Sequence, residues 1–296
     1  MINLEKFIAR RKALGLSQQE LAAGICTQAT LSKLERNGRI PSLKIMTQLC
    51  ERLDLTLNDL LLTDPNTSLV KATLEKAEFE LITLEYAQAK AQLAKINTKD
   101  LPDTLTEMTY YYLLGYVQVL GGTEPLTALF YFNQILTDLD PKGQTIFSLL
   151  AYTGSGLVYS RQGKNDQAEF YFNKVFKQIY HTQATDAQSV GRILNMLFFC
   201  AQFYAKINEL KVSNALLDYA YKLSAKYHVT YYVARVLALK AENTHKAAGS
   251  PVEVKKLLTS ARVFAEFNEN DQLLKQIQTL WDALDTKKQG RDRLVF

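Results

Sequence analysis

The sequence predicts an all-α protein, with a small helical head followed by a right-handed superhelix of stacked helical hairpins. Three observations carry this. Apolar residues recur at three- and four-residue spacings almost throughout the chain. After Thr67 nothing alternates as a strand does, apart from short runs such as Thr230 to Val233, which sit inside longer helical periods. A self-similar pattern of about 34 residues repeats between residues 67 and 265. The chain has 296 residues, 47% of them apolar, with 16 Tyr and 14 Phe, a composition that excludes a disordered polypeptide.

Charge and aromatic content divide the chain into two regions. The formal net charge of +5 lies wholly in residues 1–53, where nine Lys and Arg face four Glu. The remaining 243 residues balance at 26 basic and 26 acidic side chains, although extending the first window to Asp64 lowers its excess to +2. Phe7 is the only aromatic residue before position 65. A basic, aromatic-poor head can meet a polyanion. We expect a DNA-binding domain at 1–64, a repeat domain with a C-terminal capping helix at 65–285, and a tail at 286–296.

The head reads as four helices. Leu4, Phe7 and Ile8 give the first an apolar stripe that continues to Leu14, and Gly15 stops it. Ser17 with Glu20 three residues later has capping-box spacing and opens a short second helix. Gly24 breaks that helix, and Thr27 caps a third that carries Leu31 and Leu34 inward and closes at Asn37-Gly38. Pro41-Ser42 precedes a fourth, with Leu43, Met46, Leu49 and Leu53 on one face. A short helix, a tight turn and a longer second helix form the layout of a helix-turn-helix, whose second helix enters the major groove of DNA.

The run Leu16-Ser17-Gln18-Gln19-Glu20-Leu21-Ala22, with Gln28, Leu31-Ser32-Lys33-Leu34-Glu35 and Gly38-Arg39-Ile40-Pro41-Ser42, resembles the phage-repressor (XRE-type) helix-turn-helix across residues 3–62. Helix geometry and this resemblance together place Thr27, Gln28, Ala29, Ser32 and Lys33 at base edges. Gln28 suits adenine, Ala29 a thymine methyl, and Lys33 a guanine or a phosphate. The resemblance also implies phosphate contacts by Arg10, Gln18, Asn37 and Arg39, which position the protein without reading sequence. Glu35 is expected in an internal salt bridge or cap. One such head covers a half-site, so a homodimer is expected, joined through the rest of the chain.

In the second region Tyr152, Gly156, Tyr159, Ala168, Phe172 and Val175 fit the tetratricopeptide register without a gap. Leu197, Ala201, Tyr204, Ser213, Leu217 and Ala220 fit it as well. Tyr111, Leu114, Gly115, Ala128, Phe132 and Ile135 fit with one residue inserted near Gly121-Gly122. Ala89, Leu93 and Ile96 supply half of an earlier repeat, and a looser copy ends at Leu258 and Ala261. Small residues let paired helices approach, while aromatics fill the gaps between neighbouring pairs. About five pairs are expected, then a capping helix from Asp271 to Leu284.

The concave face of such an array is lined by fixed positions of each first helix. Here these are Lys71, Leu74 and Glu78; Tyr112 and Tyr116; Thr153 and Arg161; Asn195, Phe198, Gln202 and Lys206; and Asn243 with Lys246. Amides and cations facing one groove can hold the backbone and carboxylate of an extended peptide.

A phage-type head joined to tetratricopeptide-like repeats in a chain of this length resembles the RNPP group of peptide-sensing regulators of Gram-positive bacteria, which includes the PlcR, PrgX and Rgg types. That resemblance implies a cytoplasmic homodimer, active in quorum sensing, that binds double-stranded promoter DNA and changes its DNA binding when a short signalling peptide fills the repeat groove. The alternative is a repeat domain that serves as a protein-interaction scaffold or dimerisation module without a peptide ligand. Isolated Cys26, Cys50 and Cys200 argue for a reducing compartment. No apolar run of 18 residues is present, so no membrane association is expected. His181, His228 and His245 lack ligand spacing, and neither a GxGxxG nor a GxxxxGK[ST] run occurs, so neither an enzyme nor a cofactor or metal site is expected.

Overall fold

The computed structural model describes residues 3–60, 65–122 and 124–292, with side chains except at 58, 65 and 283–292. All regular structure among the described residues is helical, and the chain divides into two compact units, Met1–Ser68 and Leu69–Phe296. The first unit thus ends four residues beyond the expected boundary at 64, although residues 61–64 lie outside the described residues. No helix among the described residues is long and apolar enough to cross a membrane.

The first unit holds α1 (Leu4–Ala13), α2 (Gln18–Ala22), α3 (Gln28–Asn37) and α4 (Leu43–Arg52). Each begins on a side-chain cap, supplied by Asn3, Ser17, Thr27 and Ser42 in turn. The capping box at Ser17 is complete, since Glu20 also accepts from the Ser17 amide at 2.7 Å. Gly38 closes α3 at φ 66°, a left-handed conformation that costs a glycine little. Phe7, Leu21, Leu31, Leu34, Met46, Leu49 and Leu53 form the core of this unit.

Two positions differ from the sequence expectation. Leu14 is 40% and Leu43 72% exposed. Leu43 is the first residue of α4, one turn beyond the core edge reached by Met46. The buried place in the last turn of α1 belongs instead to Arg11. Its guanidinium donates to both oxygens of Glu35 on α3, at 2.7 and 2.9 Å, and to the Leu16 carbonyl at 2.7 Å. Glu35 is therefore internal, as expected. Burial opposes its charge, but hydrogen bonds from Arg11 and Gln18 and the Arg11 charge outweigh this, so its pKa falls below the ordinary glutamate value.

The second unit stacks five helical pairs: α5 (Pro65–Ile82) with α6 (Tyr86–Leu93), α7 (Thr104–Leu120) with α8 (Pro125–Asn133), α9 (Ile146–Arg161) with α10 (Asn165–Ile179), α11 (Ala187–Lys206) with α12 (Leu210–Tyr227), and α13 (Val233–Lys246) with α14 (Pro251–Phe267). A last helix, α15 (Asp271–Asp292), follows and runs past the expected start of a tail at 286. Residues 293–296 lie outside the described residues.

The repeat register explains the packing. Ala128, Phe132 and Ile135, then Ala168, Phe172 and Val175, then Ser213, Leu217 and Ala220 are all completely buried. Phe132 of α8 inserts between α7 and α9, and the helices leave room for its ring only because Gly115 and Gly154 face it; a Cβ at either place would overlap the ring. Between α8 and α9 a π-helical turn at Gln134–Leu139 carries the chain to Asp140. That carboxylate accepts from the Gln144 and Thr145 amides and the Thr145 and Ser148 hydroxyls, fixing the turn around Pro141.

The array curls back on itself. Leu84, at the α5–α6 turn, shares an apolar cluster with Val233 and Leu237 of α13 and with Leu273 and Ile277 of α15. Between α5 and α11, Glu78 accepts from Arg192 at 2.8 and 3.0 Å and from Gln188 at 2.7 Å.

Two outcomes test this packing. An alanine at position 154 gains about 1 kcal/mol in helix propensity. The wholly buried Phe132 ring cannot yield, however, so Gly154→Ala should destabilise the protein by about 1–3 kcal/mol in urea unfolding followed by circular dichroism. For Glu35 the lowered folded pKa means that its stabilisation is complete above the ordinary unfolded value of about 4.3 and is lost as pH falls through the lower folded value. Hydrogen exchange of α1–α4 in the full chain, corrected for intrinsic rates, should therefore accelerate below about pH 4.3. In Glu35→Gln this pH-dependent part should be missing.

Candidate functional site

The exposed surface of the head is organised around the first turn of α3. Thr27, Gln28 and Ala29 are exposed there, Lys33 is exposed one and a half turns on, and Ser32 is half-buried. The internal ion pair fixes the orientation of Gln28. Gln18 donates from Nε2 to the Glu35 carboxylate at 2.8 Å, which leaves its Oε1 to accept from Gln28 Nε2, also at 2.8 Å. Because a carboxylate only accepts, the order of donors and acceptors along Arg11, Glu35, Gln18 and Gln28 has one solution. Gln28 keeps its carbonyl oxygen and one amide hydrogen, the pair that adenine engages.

The phosphate candidates divide. Asn37 and Arg39 are exposed at the C-terminal end of α3, and neither side chain has a hydrogen bond or ion pair among the described residues. Gln18 retains one amide hydrogen after its two internal bonds. Arg10 is committed to the fold: its Nε donates to the Leu53 carbonyl at 2.9 Å and its guanidinium lies 3.5 Å from Asp54, so it secures α1 to the end of α4. Arg36 was not among the sequence candidates, yet it is exposed beside Lys33 and Arg39. Arg52, also overlooked, donates to the Leu21 carbonyl at 3.0 Å and holds the end of α2.

In the repeat unit a cavity of about 890 Å³ opens on the inner face. It lies between α11 and α13 on one side and α15 and the α5–α6 turn on the other. Of the expected groove residues, Arg161, Phe198, Gln202, Lys206 and Lys246 line it. Arg161 and Lys206 also donate to the carbonyls of Val119 and Ser160. Arg235, Tyr86, Leu120, Leu239, Leu273 and Ile277 complete much of the wall. The sequence pattern missed these because it assigned the face from first-helix positions alone and treated α15 as a cap.

The remaining candidates are placed elsewhere. Glu78, Tyr112 and Tyr116 are buried in the closed part of the inner face. Tyr112 donates to Glu78, whose other partners are Arg192 and Gln188, and Tyr116 donates to the Leu150 carbonyl at 3.2 Å. Burial lifts both phenols well above the usual tyrosine range. These side chains fill the space that an open groove would leave. Asn195 is buried and donates to the Tyr232 hydroxyl at 2.9 Å, with its own oxygen unpartnered among the described residues. Asn243 is wholly buried and faces α12, donating to Ser213 and Asn214 at 2.8 and 2.9 Å. Lys71 is exposed and lies 3.5 Å from Asp103.

The comparisons with known proteins agree with these two parts. A helix-turn-helix family model matches residues 8–60. No curated protein matches the chain. Among solved structures, PlcR of Bacillus thuringiensis in complex with the peptide PapR7 and DNA is similar at a TM-score of 0.72 and 14% identity, over 94% of this chain and 99% of that one. ComR of S. thermophilus, in complex with DNA and its signalling peptide ComS, is similar at 0.62 and 17%, over 93% and 96%. The SHP pheromone receptor Rgg2 of Streptococcus dysgalactiae is similar at 0.57 and 13%, over 95% and 98%. The N-terminal domain thus matches the helix-turn-helix family model over residues 8–60, and the chain has, along nearly its whole length, the all-α fold of PlcR, ComR and Rgg2.

Proposed function

We propose that this chain is a transcriptional regulator of the cytoplasm that binds promoter DNA as a homodimer and responds to a short peptide held in its repeat groove. The observation that carries the reading is the exposed first turn of α3, where Gln28 is held by Gln18 with its adenine-binding pair turned outward. Ala29 and Lys33 lie on the same exposed face. Gln28 reads adenine, Ala29 meets a thymine methyl, and Lys33 reaches a guanine or a phosphate. Arg36, Asn37, Arg39 and the spare amide hydrogen of Gln18 hold phosphates.

The peptide part is supported by the cavity and by the PlcR and ComR complexes, each of which contains both DNA and a peptide. An occupant of the cavity touches the first helical pair and the last helix together, so it bears on how tightly the array curls. In a dimer whose subunits meet through their repeat domains, a change in curl alters the spacing of the two heads. Half-sites one helical turn apart, about 34 Å, accept only a matching spacing. A peptide that binds the two curvatures unequally shifts DNA affinity by that difference.

Selection of duplexes from a random pool by the full chain should return inverted repeats with a fixed half-site separation. Gln28→Ala should weaken binding to the selected site by about tenfold or more while leaving binding to unrelated DNA unchanged. Arg36→Ala and Arg39→Ala should each reduce the slope of log affinity against log salt by about one without changing the preferred sequence. An unaltered selection by Gln28→Ala would overturn the reading of the head.

A further inference from the structure

The walls of the repeat cavity carry a charge that the domain around it lacks. Arg161, Lys206, Arg235 and Lys246 line it, with Glu242 the only carboxylate among the described lining residues. Residues 54–296 as a whole are neutral. Three of the four cations are exposed, and Arg161 and Lys206 have backbone partners. Arg235 differs from them. It is only 8% exposed, and it has neither a hydrogen bond nor an ion pair among the described residues.

Its guanidinium lies instead among aromatic rings, 4.6 Å from the centroid of Phe198, 5.3 Å from Tyr232 and 5.7 Å from Phe199. Ring faces recover part of the lost hydration of an arginine. They leave its five N–H donors without acceptors, whereas buried charges in folded proteins are paired. The other buried arginine side chains among the described residues follow that rule, Arg11 with Glu35 and Arg192 with Glu78. Among these buried arginines Arg235 alone lines an open cavity.

We propose that Arg235 is the seat of a carboxylate carried by the peptide, and that the peptide's apolar side chains lie against Leu84, Leu120, Leu239, Leu273 and Ile277. A carboxylate accepts two parallel hydrogen bonds from a guanidinium, and such a charge-assisted pair is strong and direction-specific. Phe198, Phe199 and Tyr232 hold the guanidinium plane before the ligand arrives, so little ordering remains to be done on binding. The recognised class is therefore a short, apolar peptide bearing one carboxylate near its deepest point, supplied by its C-terminus or by an acidic side chain. This rests on the groove reading above and narrows it.

The test uses the full-length protein and three synthetic pools of seven-residue peptides built from Leu, Ile, Phe, Gly and Ser. One pool has a free C-terminus, one is C-terminally amidated with a single Glu, and one is amidated and carries no carboxylate. Equilibrium dialysis with mass spectrometry reads which peptides are retained. The free-acid or the Glu pool should be retained about tenfold better than the uncharged pool, and the one that is retained identifies the source of the carboxylate. Arg235→Met should abolish that preference while its Tm stays equal to or above wild type, since an unpaired buried charge is replaced by an apolar chain of similar length. Arg235→Lys should keep part of the preference. Equal retention of all three pools, or an unchanged preference in Arg235→Met, overturns the carboxylate seat and leaves the peptide reading standing. Retention of no pool overturns both.

Discussion

The repeat domain depends on one buried ion pair. Glu78 and Arg192 are 114 positions apart, on the first and fourth helical pairs, and their side chains are 7% and 10% exposed. An arrangement of this kind stabilises only if its geometry is good and further hydrogen bonds support the charges, because both have left water. Here the capacity of the carboxylate is taken up. Gln188 and Tyr112 donate to the same carboxylate, and the guanidinium lies 4.7 Å from the centroid of Phe147. Stacked hairpins alone fix only nearest neighbours. The pair adds a contact that skips two repeats, and this decides where the inner face is shut. Tyr112, Tyr116 and Phe147 fill the closed part, and the cavity of about 890 Å³ opens beyond Phe198, towards α13 and α15.

The head uses charge in a different way. Arg11, Glu35, Gln18 and Gln28 form a line that begins in the core of the unit and ends at its surface. Each member restricts the next, so the rotamer of an exposed glutamine is set by a carboxylate two residues removed from it in the network. An unsupported Gln side chain would lose rotamer freedom when it met a base. This one has lost much of it on folding. The same line explains why Leu14 is outside: the last turn of α1 needs its inward position for Arg11.

The sequence made local features legible wherever one residue type has one physical use. The caps at Ser17, Thr27 and Ser42, the left-handed Gly38, and the small and aromatic positions of α8, α10 and α12 all follow from such uses. The inner face was harder to read. Register predicts which side of a helix turns inward, but not whether that side meets a cavity or another helix. Glu78, Tyr112, Tyr116 and Asn195 turn inward as expected and meet neighbouring side chains instead of space. Asn243 fails for another reason, since the repeat carrying it has the loosest register and its side chain faces α12. Arg235 offered no local signal, because an unpaired arginine is visible only when all its neighbours are known. Arg36 lies beside the candidates Lys33 and Arg39 and was counted only as charge.

The chain thus presents two cationic surfaces whose physics differ. On α3 the positive side chains stand in water, where attraction to phosphates is screened within about 10 Å at moderate salt and falls steeply as salt rises. At Arg235 the charge is buried and surrounded by rings, so mobile ions screen it weakly and selectivity comes from the geometry of the fork. The formal charge of the sequence records only the first surface, because the second is balanced by carboxylates elsewhere in a neutral domain. On the proposed reading, attraction of the head to DNA falls steeply over a range of ionic strength that scarcely alters the hold of Arg235 on a carboxylate.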